Sequence, residues 1–218
     1  MLRRLNLKTP FLGTVALATD SYALVGRNLN NKEEFMEEVL DVPIVEGDLF
    51  ETKMIGVLAV GNSSGLLVSP KVTDLELKKL REGLPEEVNV DVLDIRTNAL
   101  GNIIATNDER AIVGVDVSDE DLNKIEEVLE VEAKHTEFDI PDTIGSSVVV
   151  TNNGGLIHPD LDPAQLSEYF DVYMEGGTSN KGVKEVGTCL IANSNGAFTG
   201  EMTTGPELGT IERSLNLI

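Results

Sequence analysis

The chain has one cysteine, two histidines and fewer than half as many basic residues as acidic ones. Each shortage closes a class of explanation. A lone Cys189 excludes an internal disulfide, and His135 and His158 stand too far apart in sequence to offer a metal-ligand spacing, so neither a metal nor a cofactor is expected. With 17 Lys and Arg against 38 Asp and Glu, the formal net charge is −21. Phosphate backbones repel such a polyanion, which argues against wrapping free nucleic acid. A basic protein is the more natural partner. No run approaches the roughly 18 to 20 apolar residues that a membrane helix needs, and the opening MLRRLNLKTPFLG lacks a long apolar stretch ending in small residues. The expectation is a soluble cytoplasmic protein with no membrane partner.

What is present is repetition. The 218 residues, 41% hydrophobic, suffice for a substantial core. LGTVALATDSYALVG, IGVLAVGNSSGLLVSP, LGNIIATNDERAIVG, IGSSVVVTNNGGLIHP and VGTCLIANSNGAFTG follow one plan. An apolar residue and glycine lead into a short apolar segment, a turn at Asn or Asp, and a second apolar run, the pattern of a β-hairpin. The leading glycines, Gly13, Gly56, Gly101, Gly145 and Gly187, recur at steps of 43, 45, 44 and 42. A period in this range dictates architecture.

A second marker lies 17 residues after four of these glycines: Thr73, Ser118, Asp162 and Thr204, with Glu76, Asp121, Gln165 and Glu207 three positions later. An oxygen-bearing side chain with a carboxylate or amide three on is a helix-opening capping box. Apolar pairs follow on one helical face: Leu77 and Leu80, Leu122 and Ile125, Leu166 and Tyr169, Leu208 and Ile211. In the first copy either Asn30 with Glu33 or Asn31 with Glu34 fits, Phe35 and Val39 agreeing better with the second choice. After each helix comes another extended run, such as VPIVEG, VNVDVLDI and VEAKHTEF.

One unit therefore reads strand, strand, helix, strand. The fifth stops at SLNLI without its last strand, while LRRLNL stands unpaired before the first hairpin. Sharing that strand closes a ring, whereas an open array would need polar capping repeats. The expected architecture is α/β, five pseudo-symmetric units about a central pore, with one domain over 1–218 and repeats near 8–50, 51–95, 96–139, 140–182 and 183–218 plus the strand 1–7. The turns at Asp20, Asn62, Asn107, Asn152 and Asn193 should then share one end of the ring. Asn and Asp suit tight corners, and together they make a polar face where a partner can dock.

GNSSGLLVSP, NALGNIIATND, NNGGLIHP, GGTSNKG and TTGPELGTIE, in this order across essentially the whole chain, resemble the translation initiation factor 6 family in its short archaeal form. The resemblance implies a pentein fold and a non-enzymatic monomer that binds the large (50S) ribosomal subunit. Bound there, such a protein blocks joining of the small subunit and takes part in large-subunit maturation. It also implies contacts mainly with ribosomal proteins, including a uL14-type protein near the sarcin–ricin loop. The partner-binding residues carried over are Asn62 and Asn107, with Asn152 and Asn193. Eukaryotic relatives tend to have an arginine at Val57 and a basic residue at Ser63.

Two other readings share features of this sequence. Pentein enzymes that modify guanidino groups use a late cysteine, a histidine and carboxylates, and Cys189 with His158 could be read that way. Against this, a reactive thiol wants positive neighbours and exposure, while Cys189 occupies the place of Leu58, Ile103 and Ser147 in sister copies. A clamp around nucleic acid is opposed by the charge. GGTSNKG is not a P-loop, because Lys181 precedes Gly182 and the segment leads toward a strand.

Overall fold

A computed structural model of the chain describes residues 1–27, 29, 31–135 and 141–218. Strand β1 (Leu2–Leu5) precedes five copies of one pattern, a single helical turn, an antiparallel hairpin, a longer helix and a third strand, the fifth copy lacking a third strand of its own. In the first copy these are a 3-10 turn (Leu12–Thr14), β2 (Ala16–Ala18), β3 (Ala23–Gly26), α1 (Glu33–Leu40) and β4 (Ile44–Gly47). The second has α2 (Ile55–Leu58), β5 (Ala59–Gly61), β6 (Gly65–Val68), α3 (Asp74–Gly83) and β7 (Asn89–Val92). The third has α4 (Leu100–Ile103), β8 (Ile104–Thr106), β9 (Arg110–Val113), α5 (Asp119–Leu129) and β10 (Glu132–His135). The fourth has α6 (Ile144–Ser147), β11 (Val148–Val150), β12 (Gly155–Ile157), α7 (Pro163–Phe170) and β13 (Met174–Gly176). The fifth has α8 (Val186–Cys189), β14 (Leu190–Ala192), β15 (Ala197–Gly200) and α9 (Gly205–Ser214).

In copies one to four the third strand pairs parallel with the second strand of the hairpin, as Gly65↔Asn89 through Val68↔Val92. In the fifth, β1 takes that place, with Leu2↔Ala197 through Leu5↔Gly200. Five three-stranded sheets result, and the N-terminal strand closes the ring as the repeat count requires. This is the pentein arrangement.

The single helical turns were not expected. The leading glycines open them rather than strands, and the reason is steric. A Cβ on Gly56 would lie 1.9 Å from the backbone oxygen of Gly13; Gly101 stands in the same relation to Gly56, Gly145 to Gly101, Gly187 to Gly145, and Gly13 to Gly187. Backbone meets backbone around the whole axis, which only glycine permits.

Burial follows the ring. Each core cluster spans a boundary between copies: Tyr22 and Leu24 of the first pack with Leu66 and Leu80 of the second, and Ile191 and Phe198 of the fifth pack with Val25 and Met36 of the first. No copy buries its apolar face alone. The capping boxes form at Thr73 with Glu76, Ser118 with Asp121 and Thr204 with Glu207. Asp162 caps through the N–H of Ala164 instead, without Gln165. In α1 the cap position is Lys32, with no side-chain capping bond; Asn31 sits outside at φ 61 and Asn30 falls outside the described residues. Met36, Val39 and Leu40 are the buried residues there, while Phe35 is partly exposed against Phe198.

Candidate partner-docking face

The five hairpin turns come together at one end of the ring. Each needs an oxygen that accepts from the N–H groups two and three residues on, and the residue supplying it stands six after the leading glycine. Asn62 accepts from Ser64 and Gly65 (3.1 and 3.0 Å), Asn107 from Glu109 and Arg110 (3.0 and 2.8 Å), and Asn193 from Asn195 and Gly196 (3.1 and 2.9 Å). In copies one and four the oxygen belongs to Thr19, accepting from Ser21 and Tyr22, and to Thr151, accepting from Asn153.

The register of the turns is therefore corrected in two copies. Asp20 and Asn152 are not the counterparts of Asn62; they lie one residue later, beside Ser63, Asp108 and Ser194. A hydroxyl serves the turn as well as an amide oxygen, so a search for Asn or Asp alone slips by one. Constant spacing from the glycines was the signal that would have found Thr19 and Thr151.

The two positions do different work. Asn62, Asn107 and Asn193 are buried. The amide of Asn62 donates to Asn107 O and Leu129 O (3.1 and 2.7 Å), joining the second copy to the third, and that of Asn193 donates to Thr19 O and Leu40 O (2.9 and 2.8 Å), joining the fifth to the first. These two side chains are committed to the ring itself. Buried amides satisfied this way cost stability when removed, because their partners are left without one.

The following positions form the mouth of the pore. Asp108 accepts from Ser63 N and Ser63 Oγ (2.8 and 2.7 Å), and its own N–H donates to Asn152 Oδ1 (3.0 Å). Asn152 Nδ2 donates to both Asp108 and Asp20 (2.6 and 2.8 Å), and Asp20 accepts from Ser194 N (2.7 Å). One exposed amide thus holds two carboxylates from the first and third copies. Glu109, Asn153 and Asn195 stand exposed around them.

Behind the mouth lies a depression of about 20 Å³ and then a pore of about 120 Å³ walled by the leading glycines and small apolar residues. Sites for small organic ligands run to roughly 300 to 1,000 Å³. Substrate chemistry has no room here.

Cys189 ends the one-turn helix α8 rather than lying in a strand, and it is buried. Burial pushes its thiol above the ordinary value, and the hydroxyl of Thr188 is 3.5 Å from Sγ. That is the reverse of an activated nucleophile. His158 Nδ1 accepts from Asp160 N in a turn, and His135 is half-exposed 3.9 Å from Asp116. Among the described residues no three His, Cys, Asp or Glu are grouped to hold a metal, and no helix is long and apolar enough to cross a membrane.

GGTSNKG and TTGPELGTIE grip one another. Ser179 Oγ lies 2.7 and 3.0 Å from the hydroxyls of Thr199 and Thr203. Glu207 accepts from Thr204 N and Oγ1, Thr178 Oγ1 and Gly182 N (2.7 to 2.9 Å). Burial works against its charge, yet these donors hold its carboxyl down at about 2. Two stretches that stand out in the sequence are thus one structural joint.

The eIF-6 family matches residues 3–214 of the chain. Translation initiation factor 6 of Pyrococcus abyssi is 40% identical over 217 residues, covering 96% of each chain. The eukaryotic translation initiation factor 6 of Babesia bovis is 37% identical over 212 residues, covering 94% of this chain and 85% of its own. Both relatives are named as translation initiation factors. Among solved structures, a dimethylarginine dimethylaminohydrolase from Pseudomonas aeruginosa is 13% identical with a TM-score of 0.45, over 76% of this chain and 68% of that one. So distant a likeness carries no activity across. With 37 to 40% identity along nearly the whole chain to proteins named as initiation factors, and a family match that spans all five units, the chain belongs to the eIF-6 family.

Proposed function

We propose that the protein, as a cytoplasmic monomer, binds the large ribosomal subunit through the hairpin-turn end of its ring and blocks joining of the small subunit by occupying its place, with a part in large-subunit maturation. The observation that carries this is the mouth built by Asn152, Asp20 and Asp108: an acidic, hydrogen-bonded and pre-formed surface. A surface ordered before it docks loses little side-chain freedom on binding. Its carboxylates suit a basic ribosomal protein of the uL14 type, close to the sarcin–ricin loop.

In this reading Asn152 touches the partner directly. Asn62, Asn107 and Asn193 act from within, shaping the turns that present Ser63, Asp108, Glu109 and Asn195. Occlusion needs no chemistry, since the joined ribosome cannot form while the face is occupied.

The test is sedimentation with isolated archaeal large subunits, followed by addition of small subunits. Wild-type protein travels with the large subunit and suppresses joining. Reversing charge at the mouth, Asp20→Lys with Asp108→Lys, weakens binding by about tenfold or more and raises the salt sensitivity of what remains. Protein that stays at the top of the gradient at low salt, or a double reversal that binds unchanged, contradicts the reading.

A further inference from the structure

We propose that a groove at the closure seam, on the end of the ring away from the hairpin turns, binds an acidic protein segment that carries an exposed apolar side chain. β1 and β15 start near the turns, where the Met1 ammonium donates to Asn195 O, and run in parallel toward Leu5 and Gly200. The groove opens beyond that far end. It encloses about 320 Å³ between Leu5, Asn6, Lys8, Pro10, Glu201 and Met202. Of its apolar lining Leu5 is buried while Met202 is 47% exposed, and Phe11, next to Pro10 in the chain, is 40% exposed, so an apolar side chain at the groove faces water uncovered.

Basic side chains gather at its rim, against the acidic balance of the molecule. Lys8 is exposed, its backbone left-handed at φ 65 and its N–H held by Asn6 Oδ1 at 2.8 Å. The Lys32 ammonium donates to Asn6 O, and the Arg4 guanidinium donates twice to Thr203 O, one residue from Met202. Lys181 follows Asn180, whose amide donates to Pro10 O at 2.6 Å. The one carboxylate in the lining, Glu201, already accepts from Asn6 Nδ2 at 2.6 Å. Lys8 in the lining, with the Lys32 and Arg4 head groups on carbonyls beside it, thus puts three cations at an open, partly apolar groove in a chain of net charge −21.

Charge complementarity selects an acidic occupant, and the groove's size selects an apolar side chain to fill it. A protein segment brings both in a few residues. A long nucleic acid brings many phosphates, which the acidic remainder of the molecule repels. This inference stands apart from the ribosome reading, because the two surfaces lie at opposite ends and the test below uses the isolated protein.

The test is fluorescence anisotropy with a labelled peptide of Asp and Glu carrying a single Phe. Saturable binding is expected, weakened about tenfold or more when Phe is replaced by Ser in the peptide, or when the protein carries Lys8→Glu with Met202→Asp. Both substituted side chains are exposed, and a thermal melt verifies that the variant folds. Should it not, amide chemical shifts of the wild-type protein report the site, with changes expected to centre on residues 4–11 and 200–203. No binding, binding indifferent to both changes, shifts centred elsewhere, or a uridine oligonucleotide binding as well as the peptide overturns the proposal.

Discussion

Gly56 lies against Gly13 so closely that the oxygen of one occupies the space where a side chain on the other would begin. Gly56→Ala, or Gly101→Ala by the same geometry, forces two central turns apart and is expected to destabilise by about 3 kcal/mol or more. Gly209, with nothing within 4 Å and a place inside α9, is the control. There Ala should stabilise by about 0.5 to 1 kcal/mol. Urea unfolding of the three variants checks the contrast.

Asn193 and Asn152 should separate stability from binding. Asn193→Ala removes two buried donors and a turn acceptor, a loss of about 2 to 4 kcal/mol read from denaturant midpoints. Asn152→Ala leaves Asp20 and Asp108 facing each other at the surface, where about 1 kcal/mol or less is at stake. Its effect belongs instead in the large-subunit sedimentation assay.

Glu207 predicts a pH dependence. A carboxyl depressed to about 2 in the folded state contributes stability that is present in full above the ordinary carboxylate range and is lost as pH falls from there through about 2. Glu207→Gln should flatten that part of the stability–pH curve and cost about 1 to 2 kcal/mol at neutral pH, through the capping box and the loop at Gly182. Thermal melts between pH 2 and 7 report both.

Cys189 should behave as core. A thiol reagent is expected to label it only in denaturant, and Cys189→Ala to cost about 1 to 2 kcal/mol while leaving large-subunit binding intact. Rapid labelling of the native protein contradicts the buried geometry.

The ring was legible in the sequence because its period is carried by glycines that nothing else can replace. The capping residues were legible because Thr73, Ser118 and Thr204 are chemically distinct from their surroundings. Two things were hidden. That the glycines open helical turns depends on five-fold backbone packing, which leaves no local mark. That Thr19 and Thr151 stand in for Asn depends on a shared acceptor oxygen, a property that residue identity conceals. The pairing of Asp20 with Asn152 joins residues 132 positions apart, so only the closed ring reveals it.

Pairing β1 with β15 also sets an order of events during synthesis. The first strand made has no hydrogen-bonding neighbour until residues 197–200 have left the ribosome. Contacts of such sequence separation are slow to form, and units that bury surface only against their neighbours stay exposed meanwhile. Leu2 and Leu5 therefore wait until the hairpin of the fifth copy is made. A circular permutant that starts at Met54 and joins Ile218 to Met1 by a flexible linker makes β1 just after β15. It should refold faster than the parent while keeping the same five-unit ring.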